Sequence, residues 1–267
     1  MLLREVEYAR PASVQEALRL LSENEGARAL AGGQTLINVM KARAASPDAL
    51  VDLNGLDELK GIDLGSDGTV SIGAMVTYSE LIASAEARAR PVLGEVCAQI
   101  ADVQVRNRGT VGGNVCSNDP TNHLPPLMVS LGATMHVAGS GGERTVPAEE
   151  FFLGVYMTAA GAGELLTRIS VPPGKSDGFA SVAIGKDGTC IVNAAASVNG
   201  GARIAIGCVD AVPVLLSTDS AEEDAVRAAV QGAEFEPPSD VHASADYRRH
   251  LAEVVAVRAV AQARGKT

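Results

Sequence analysis

The sequence predicts an α+β fold built from three consecutive parts. Strand-length apolar runs alternate with helical patterns over the first part, and longer alternating strands and helices follow in the second. A Pro-Pro-Gly cluster at 172–174 ends the second part, and three apolar runs separated by glycine-containing turns come after it. We therefore place domain boundaries near residues 60 and 175, which gives domains at 1–60, 61–175 and 176–267.

The first domain is predicted as a small β-α-β-α-β unit. Alternation at Val6 and Tyr8 favours a strand, and Ser13 with Glu16 has the pattern of a capping box that opens a helix ending near Asn24. A strand at 27–31, a short helix ending near residue 43 and a strand at 49–53 complete the unit.

The second domain is predicted to be larger and mixed. Its predicted strands lie at 70–74, 135–138 and 164–171. Residues 77–80 open one predicted helix, and two others lie at 91–101 and 125–131. Pro125 stands where the first turn of a helix tolerates proline, and Gly132 ends that helix. Residues 149–156 are predicted as a loop or a short helix.

The third domain is predicted as three antiparallel strands followed by a helical bundle. The strands lie at 180–184, 191–198 and 202–209, and the helices at 221–231 and 245–263.

Two glycine-pair turns are the candidate binding elements. Ala31-Gly32-Gly33-Gln34-Thr35 follows a predicted strand and precedes a helix, and Thr110-Val111-Gly112-Gly113-Asn114 lies far downstream. Glycine lets the backbone approach a ligand closely and aims successive N–H groups at it, which suits a phosphate. Two such turns acting together can hold one pyrophosphate. As an isolated pair, Gly32-Gly33 is more simply a strand-to-helix turn.

Composition excludes several other classes of function. The net charge of -10 argues against nucleic acid or an anionic membrane as partner. No apolar run reaches the length of a membrane span, and we expect a cytoplasmic protein. The four cysteines have no metal-ligand or cluster spacing, so we expect reduced, mostly buried thiols and no metal site.

The residues resemble a known family over nearly the whole chain. Four stretches carry the resemblance, and the sequence from Asp246 onward is similar to the family's C-terminal domain; the stretches are AGGQTLINVMKAR with LVDLNGLDEL, IGAMVTYSEL, VQVRNRGTVGGN with DP and LPPLMVSLGA, and FFLGVYMTAAGAGELLTRISVP. The chain looks like the FAD-binding medium subunit of molybdenum-containing hydroxylases, a group that includes carbon monoxide dehydrogenase and xanthine dehydrogenase. The resemblance implies a two-part FAD-binding domain of the vanillyl-alcohol oxidase or PCMH type.

The resemblance also implies a division of labour among subunits. A large subunit would carry the molybdenum cofactor, and a small subunit would carry two two-iron iron-sulfur clusters. The complex would be a dimer of heterotrimers. The medium subunit would hold FAD noncovalently and pass electrons from the iron-sulfur subunit to an external acceptor. No catalytic side chain is then required of this chain, and neither substrate nor acceptor follows from its sequence.

Carried over residue by residue, the resemblance implies a set of FAD-binding positions. The first loop falls on Leu30, Ala31, Gly32, Gly33, Gln34, Thr35 and Leu36, and the second on Thr110, Val111, Gly112, Gly113 and Asn114. Backbone N–H groups of both loops, with the Thr35 and Thr110 hydroxyls, would bind the pyrophosphate. Further implied contacts along the flavin or adenine are Ile100, Leu165, Leu166 and Lys186.

One position departs from the family pattern. An aspartate often stands where this chain has His123, so His123 would meet FAD through a neutral nitrogen if that position faces the cofactor. A surface or helix-cap role for His123 is the alternative. Asp119 is expected to be a turn residue.

Two rival functions stay open from the sequence. One is a stand-alone flavin oxidase of the vanillyl-alcohol oxidase type, whose first loop frequently carries a covalently bound histidine where this chain has Gln34. The other is a cofactor-free binding module with the same fold.

Overall fold

The structure, a computed structural model, describes residues 3–174, 176–185 and 188–265. Within these ranges it contains sheets of three, five and four strands, a two-stranded ribbon, and helices packed against the sheets. The predicted α+β class is confirmed. The division into three domains stays a prediction about folding units.

The first sheet is parallel and small. Its strand order is β1-β3-β2, and α1 and α2 make the two crossovers. The elements are β1 (Glu7–Ala9), α1 (Val14–Glu23), β2 (Ala27–Leu30), α2 (Leu36–Lys41) and β3 (Ala49–Asp52). Because parallel strands end at one edge of the sheet, the segments that follow β2 and β3 lie side by side.

The start of α1 differs slightly from a capping box. The Ser13 hydroxyl accepts a hydrogen bond from the Glu16 N–H at 3.1 Å, as predicted. The Glu16 carboxylate accepts instead from the Ala12 N–H at 2.7 Å, one residue before the cap.

The second sheet is antiparallel, with strand order β4-β5-β10-β6-β7. Helices pack on it, and residues of both the sheet and the helices form the central core. The strands are β4 (Ile62–Leu64), β5 (Val70–Gly73), β6 (Thr134–Gly139), β7 (Gly142–Pro147) and β10 (Leu165–Val171). The helices are α3 (Tyr78–Ala83), α4 (Val92–Cys97), α5 (Val103–Arg106), α6 (Val111–Ser117), α7 (Leu124–Ser130) and α8 (Ala148–Phe151). The ribbon consists of β8 (Phe152–Gly154) and β9 (Met157–Thr158).

The third sheet is antiparallel with strand order β11-β12-β13-β14, and two helices form a layer with it. Its elements are β11 (Asp177–Ala183), β12 (Cys190–Asn199), β13 (Gly201–Gly207), β14 (Val214–Thr218), α9 (Glu223–Gln231) and α10 (Ala245–Arg264).

Two sequence predictions for the third part were wrong. The sheet has four strands and not three, because Val214–Thr218 pairs with β13 as an edge strand whose side chains are mostly half-buried. The helices are not a bundle, since the buried residues of α10 share one apolar cluster with β12 and β13.

Two further local predictions need correction in the second part. The helix predicted over 91–101 ends at Cys97, and Ala101 has a left-handed φ of 43° that separates α4 from α5. The short helix predicted within 149–156 is present as α8, but Phe152–Gly154 in the same range forms strand β8.

Candidate functional site

The two glycine loops touch each other. A Cβ placed on Gly32 would lie 2.1 Å from the carbonyl oxygen of Arg108, immediately before the second loop. A Cβ placed on Gly113 would lie 3.6 Å from the Cβ of Ala31. The predicted convergence of the two loops is therefore confirmed, and it depends on residues that lack a side chain.

The first loop carries a run of unused backbone donors. Within the described residues, the N–H groups of residues 32–36 donate to no protein acceptor. Gly33 has a φ of 73°, a left-handed conformation that turns neighbouring N–H groups toward one side. Successive N–H groups in such an arrangement form a concave anion-binding nest. The loop is partly exposed, so a ligand can reach it.

A polar network at the carboxyl edge of the first sheet holds this loop in place. Asn54, just beyond β3, donates from Nδ2 to the Ala31 carbonyl at 3.0 Å and to the Asp52 carboxylate at 2.6 Å. The Tyr8 hydroxyl from β1 donates to the same carboxylate. Because all three strands end at this edge, one buried aspartate connects all of them to the loop.

The Asp52 carboxylate is stabilised in its ionised form. Burial raises the pKa of Asp52, but the hydrogen bonds from Tyr8 and Asn54 and the charge of Arg10 together outweigh burial and lower it. The ionised carboxylate can accept all of these hydrogen bonds at once. Sequence reasoning missed Asp52, Asn54 and Tyr8, although polar residues directly after a strand of a parallel sheet are a signal for this edge.

The second loop is the beginning of a helix and not an open turn. Thr110 caps α6, and its hydroxyl accepts from the Gly113 N–H at 3.1 Å. The Val111 N–H donates to Val76 at 2.9 Å and the Gly112 N–H to Ala74 at 2.9 Å. The expectation that N–H groups of both loops are available to a phosphate is therefore wrong for Val111 and Gly112, because the segment after β5 takes these donors.

The glycines of the second loop allow close packing. A Cβ on Gly112 would lie 2.6 Å from the Ala74 carbonyl oxygen, and one on Gly113 would lie 2.8 Å from the Thr110 hydroxyl. Thr110 and Val111 are buried. The second loop thus forms the wall against which the first loop rests.

Two polar side chains remain available near the loops. The Thr35 side chain is exposed and caps no backbone group. Asn114 is buried, and its Oδ1 has no hydrogen-bond donor among the described residues. A buried carbonyl oxygen without a partner is costly, and a hydroxyl donor from a bound molecule would remove that cost.

His123 lies in a different environment from the one implied by the resemblance. Its ring packs on Phe179 of β11 at a centroid distance of 5.1 Å, and its Nδ1 lies 3.5 Å from Nδ2 of Asn193 in β12. The His123 ring therefore faces the third sheet, and its contact to the cofactor stays a prediction. The preceding Asn122 is held on α6 by hydrogen bonds to Asn114 and Ser117.

Leu165 and Leu166 pack in protein cores. They are 5% and 4% exposed, and they belong to the first and the central apolar clusters respectively, because adjacent residues of a strand point to opposite faces. Both side chains therefore contribute to core packing, and their role along the flavin or adenine stays a prediction. Ile100 is half-buried and packs against the central core.

The other predicted positions fall into three groups. Leu30, Ala31, Gln34 and Leu36 are half-buried at the first loop. Lys186 lies outside the described residues. Asp119 is a turn residue as predicted, because its Oδ1 accepts from the N–H and hydroxyl of Thr121 at 2.9 and 2.7 Å.

A groove elsewhere on the protein shares no residue with the two glycine loops. It has a volume of about 870 Å³ and lies between the second and third sheets, with Arg90, Ser130 and Arg203 among its lining residues. The volume of this groove therefore does not identify the two glycine loops as the candidate phosphate-binding site. Among the described residues no group of His, Cys, Asp and Glu side chains can hold a metal ion. No described helix is both long and apolar enough to cross a membrane.

The fold and the loops together define a class. A nest of free N–H groups at the carboxyl edge of a small parallel sheet, closed by a second glycine loop, suits a protein that binds a phosphate-containing cofactor. Comparison with known proteins then gives the family: residues 4–174 match the family described as the FAD binding domain in molybdopterin dehydrogenase, and the chain belongs to this family.

Relatives match over the full length of the chain. The carbon monoxide dehydrogenase medium chain of Afipia carboxidovorans is 38% identical over 97% of this chain and 97% of its own. The glyceraldehyde dehydrogenase medium chain of Sulfolobus acidocaldarius is 33% identical over 96% of this chain and 97% of its own. A solved structure of reconstituted CO dehydrogenase from Oligotropha carboxidovorans is similar with a TM-score of 0.94 and 35% identity, covering 100% of both chains.

Proposed function

We propose that this chain is the FAD-carrying medium subunit of a molybdenum-containing hydroxylase and that its first glycine loop binds the FAD pyrophosphate. The observation that carries the proposal is the run of five free N–H groups at residues 32–36 beside the second loop. The family and the full-length relatives support an oxidoreductase flavoprotein subunit.

The residues present fit FAD. A pyrophosphate carries two negative charges and needs several donors, which the free N–H groups at 32–36 and the exposed Thr35 hydroxyl supply. The unpartnered Oδ1 of Asn114 suits a hydroxyl of the ribityl or ribose part. Gly32 and Gly113 keep the two loops close enough to act on one ligand.

Bound FAD supplies the ability to take up two electrons and to release them singly or as hydride. The chain itself contributes orientation: Asp52 and Asn54 hold the first loop, and Thr110 with α6 holds the second.

The finer parts of the assignment are also proposals. We propose the vanillyl-alcohol oxidase or PCMH type for the FAD-binding part, with domain boundaries near residues 60 and 175. We propose a cytoplasmic dimer of heterotrimers in which a large subunit holds the molybdenum cofactor and a small subunit holds two-iron iron-sulfur clusters. The names of the relatives, a medium chain and a complex subunit, support large and small partners.

The flavin content of the purified full chain tests the central part of this proposal. We expect a yellow protein with one FAD per chain that is released into solution by acid denaturation. Colour that stays with the denatured protein would support the stand-alone oxidase, and a chain that remains colourless after incubation with FAD would support the cofactor-free module.

Purification from the native source tests the assembly. We expect two further chains to co-elute with this one, together with molybdenum and iron in stoichiometric amounts. Elution of the chain as a monomer without metals would contradict the heterotrimer.

A further inference from the structure

A second polar cluster lies in the third sheet, away from the glycine loops. It contains two buried cysteines, Cys190 at the start of β12 and Cys208 just after β13, which are 3% and 4% exposed. Asn193 and His123 complete it. FAD binding as proposed above uses none of the four.

One amide nitrogen connects the cluster. Nδ2 of Asn193 lies 3.5 Å from the Cys190 sulfur, 3.6 Å from the Cys208 sulfur and 3.5 Å from Nδ1 of His123. Asn193 is fully buried, and its Oδ1 has no hydrogen-bond partner among the described residues. An apolar residue would satisfy the core of a sheet better, so a buried amide aimed at two sulfurs requires an explanation.

The two sulfurs also interact directly with each other. The Cys208 thiol hydrogen-bonds to the Cys190 sulfur, and this bond together with His123 and Asn193 lowers the pKa of Cys190, although burial opposes the shift. The same bond, with burial, raises the pKa of Cys208. The cluster therefore contains one sulfur that ionises readily and one that keeps its proton.

Charged groups of neighbouring elements act on the same site. Arg248 of α10 is buried and donates to the carbonyl oxygens of Ile191 and Cys208, which places a cation behind the sulfurs. Asp119 raises the pKa of Cys208 further. The thiol of Cys208, the ring of His123 and the amide of Asn193 around the Cys190 sulfur make the kind of site in which a thiolate is reactive, and Arg248 acts on Cys208.

A small cavity reaches the cluster from the side of α7. It has a volume of about 10 Å³ and is lined by Cys208, Asn122, Pro126 and Asp210. This is close to the ~10–15 Å³ that a single water needs, so a molecule of about that size can approach the pair from the Cys208 side.

We propose that Cys190 and Cys208 form a thiol pair that a hydroperoxide oxidises to a disulfide between the start of β12 and the end of β13. The thiolate of Cys190 attacks the O–O bond, an S–O bond forms, and the leaving oxygen takes up a proton and departs as water or an alcohol. The Cys208 sulfur then displaces hydroxide from the Cys190 sulfenic acid, and hydroxide leaves as water with the Cys208 proton. Two thiols are oxidised by two electrons, and the peroxide is reduced.

This inference does not depend on FAD binding, so its failure leaves the proposed function untouched. The chain also contains an internal control, because Cys97 is buried in the central core and its pKa is raised to about 12 by burial alone. If the pair reacts with peroxide, Cys190 should be oxidised and Cys97 should not.

Peptide mapping of the full chain treated with hydrogen peroxide at neutral pH tests the pair. Cleavage after Arg203 puts the two cysteines on separate tryptic peptides, 187–203 and 204–227. We expect these peptides to be linked and lighter by two hydrogens, with Cys97 unmodified. In Cys208→Ser, dimedone should label Cys190, and Cys190→Ser should give no label on Cys208.

Alkylation of the unmutated chain tests the reactivity of Cys190 without a variant, so a folding defect in either variant does not affect this result. Iodoacetamide at pH 7 should label Cys190 about tenfold faster or more than Cys97 in the native protein. Absence of the 190–208 link, a link that uses Cys97 or Cys116 instead, or equal labelling of Cys190 and Cys97 would overturn the proposal.

Discussion

At the level of single residues, the four glycines of the two loops have different structural roles. Gly33 has a positive φ of 73° that shapes the N–H nest. Gly32 and Gly112 are required by packing, since a Cβ on either would collide with backbone atoms, of Arg108 and of Ala74. Gly113 adjoins the Thr110 hydroxyl and Ala31. The two glycine pairs are therefore needed for contact between the loops as well as for contact with a ligand.

Gly32→Ala tests the contact between the loops. The added Cβ would meet a carbonyl oxygen at 2.1 Å, so the first loop must move away from the second. We expect the FAD dissociation constant to rise about 100-fold or more, since a steric conflict of about 3 kcal/mol corresponds to this change. Flavin absorbance during titration of the apoprotein measures it.

Gly141→Ala is the matched control for Gly32→Ala. Gly141 has no atom within 4 Å of its ideal Cβ position and no positive φ, so FAD affinity and melting temperature should stay at wild-type values. Wild-type affinity in Gly32→Ala as well would contradict the role of the loop contact.

Asn54→Ala tests the residue that positions the first loop. It removes the hydrogen bond to the Ala31 carbonyl and leaves that oxygen without this donor. One hydrogen bond contributes about 1 kcal/mol, so we expect FAD to bind about fivefold to tenfold more weakly. Calorimetric titration measures the change, and Asn199→Ala, at the exposed end of β12, serves as the control.

The pH dependence of FAD binding tests Asp52. The pKa of Asp52 is lowered in the folded protein. The stability that its ionised form gives to the fold, and so to the first loop, is therefore complete above the unfolded pKa of about 3.9 and is lost as pH falls through the lower folded pKa. We expect FAD affinity to fall with acidification below about pH 4. Asp52→Asn should bind more weakly at neutral pH and lose part of this acid dependence. An identical pH profile in both proteins would argue against the network.

Single residues also show where sequence reasoning fails. The glycine loops could be predicted because glycine pairs beside strand and helix patterns have a local meaning. Asn54 could not be ranked above other asparagines, because its role depends on β3 lying beside β2. The packing of His123 on Phe179 could not be predicted either, because that contact comes from a sheet that begins more than fifty residues later in the chain.

At the level of elements, strong local signals produced correct predictions. The helix predicted from Thr77 begins with a capping box formed by Thr77 and Glu80, and the proline start of α7 appears where the sequence predicts it. Strand β14 was missed because a half-buried edge strand lacks the clear alternation of a strand with one buried face. The Gly112-Gly113 pair was read as an open turn because glycine disfavours helices, but close packing on Ala74 overrides this propensity.

A buried ion pair connects the second and third sheets at the element level. Arg90, just before α4, donates to the Asp177 carboxylate at 2.6 and 2.8 Å and to the carbonyl oxygen of Pro172. Both side chains are 3% exposed. The pair therefore fixes β11 against the segment that leaves β10.

Arg90→Met should destabilise the protein because it leaves Asp177 buried without its partner. We expect the free energy of unfolding to fall by about 3–5 kcal/mol, and the double variant Arg90→Met with Asp177→Leu to recover much of this loss. Urea denaturation measures both. Arg19→Ala, which removes an exposed pair with Glu23, should change stability by less than about 1 kcal/mol.

At the level of the whole molecule, the three sheets share their cores. Met75 and Leu165 of the second part belong to the first apolar cluster, and Phe179, Ala195 and Ala205 of the third part belong to the central one. This sharing brings the two loops together although they belong to different sheets. Sequence patterns predict the elements, but contacts between sheets depend on packing that no local pattern encodes.

The relatives of this chain come from enzymes that are named for different compounds. Medium chains of enzymes named for carbon monoxide, glyceraldehyde and nicotine match this chain over nearly its full length. Similarity to medium chains of enzymes named for such different compounds agrees with the flavin-carrying role proposed above.

Amide hydrogen exchange on FAD binding tests the central claim most directly, because the claim concerns individual N–H groups. We expect the amides of residues 32–36, which have no protein acceptor in the described structure, to exchange markedly more slowly once FAD is bound. The amides of Val111 and Gly112, already bonded to Val76 and Ala74, should change less. FAD binding that leaves the exchange of residues 32–36 unchanged and protects another region instead would contradict the account.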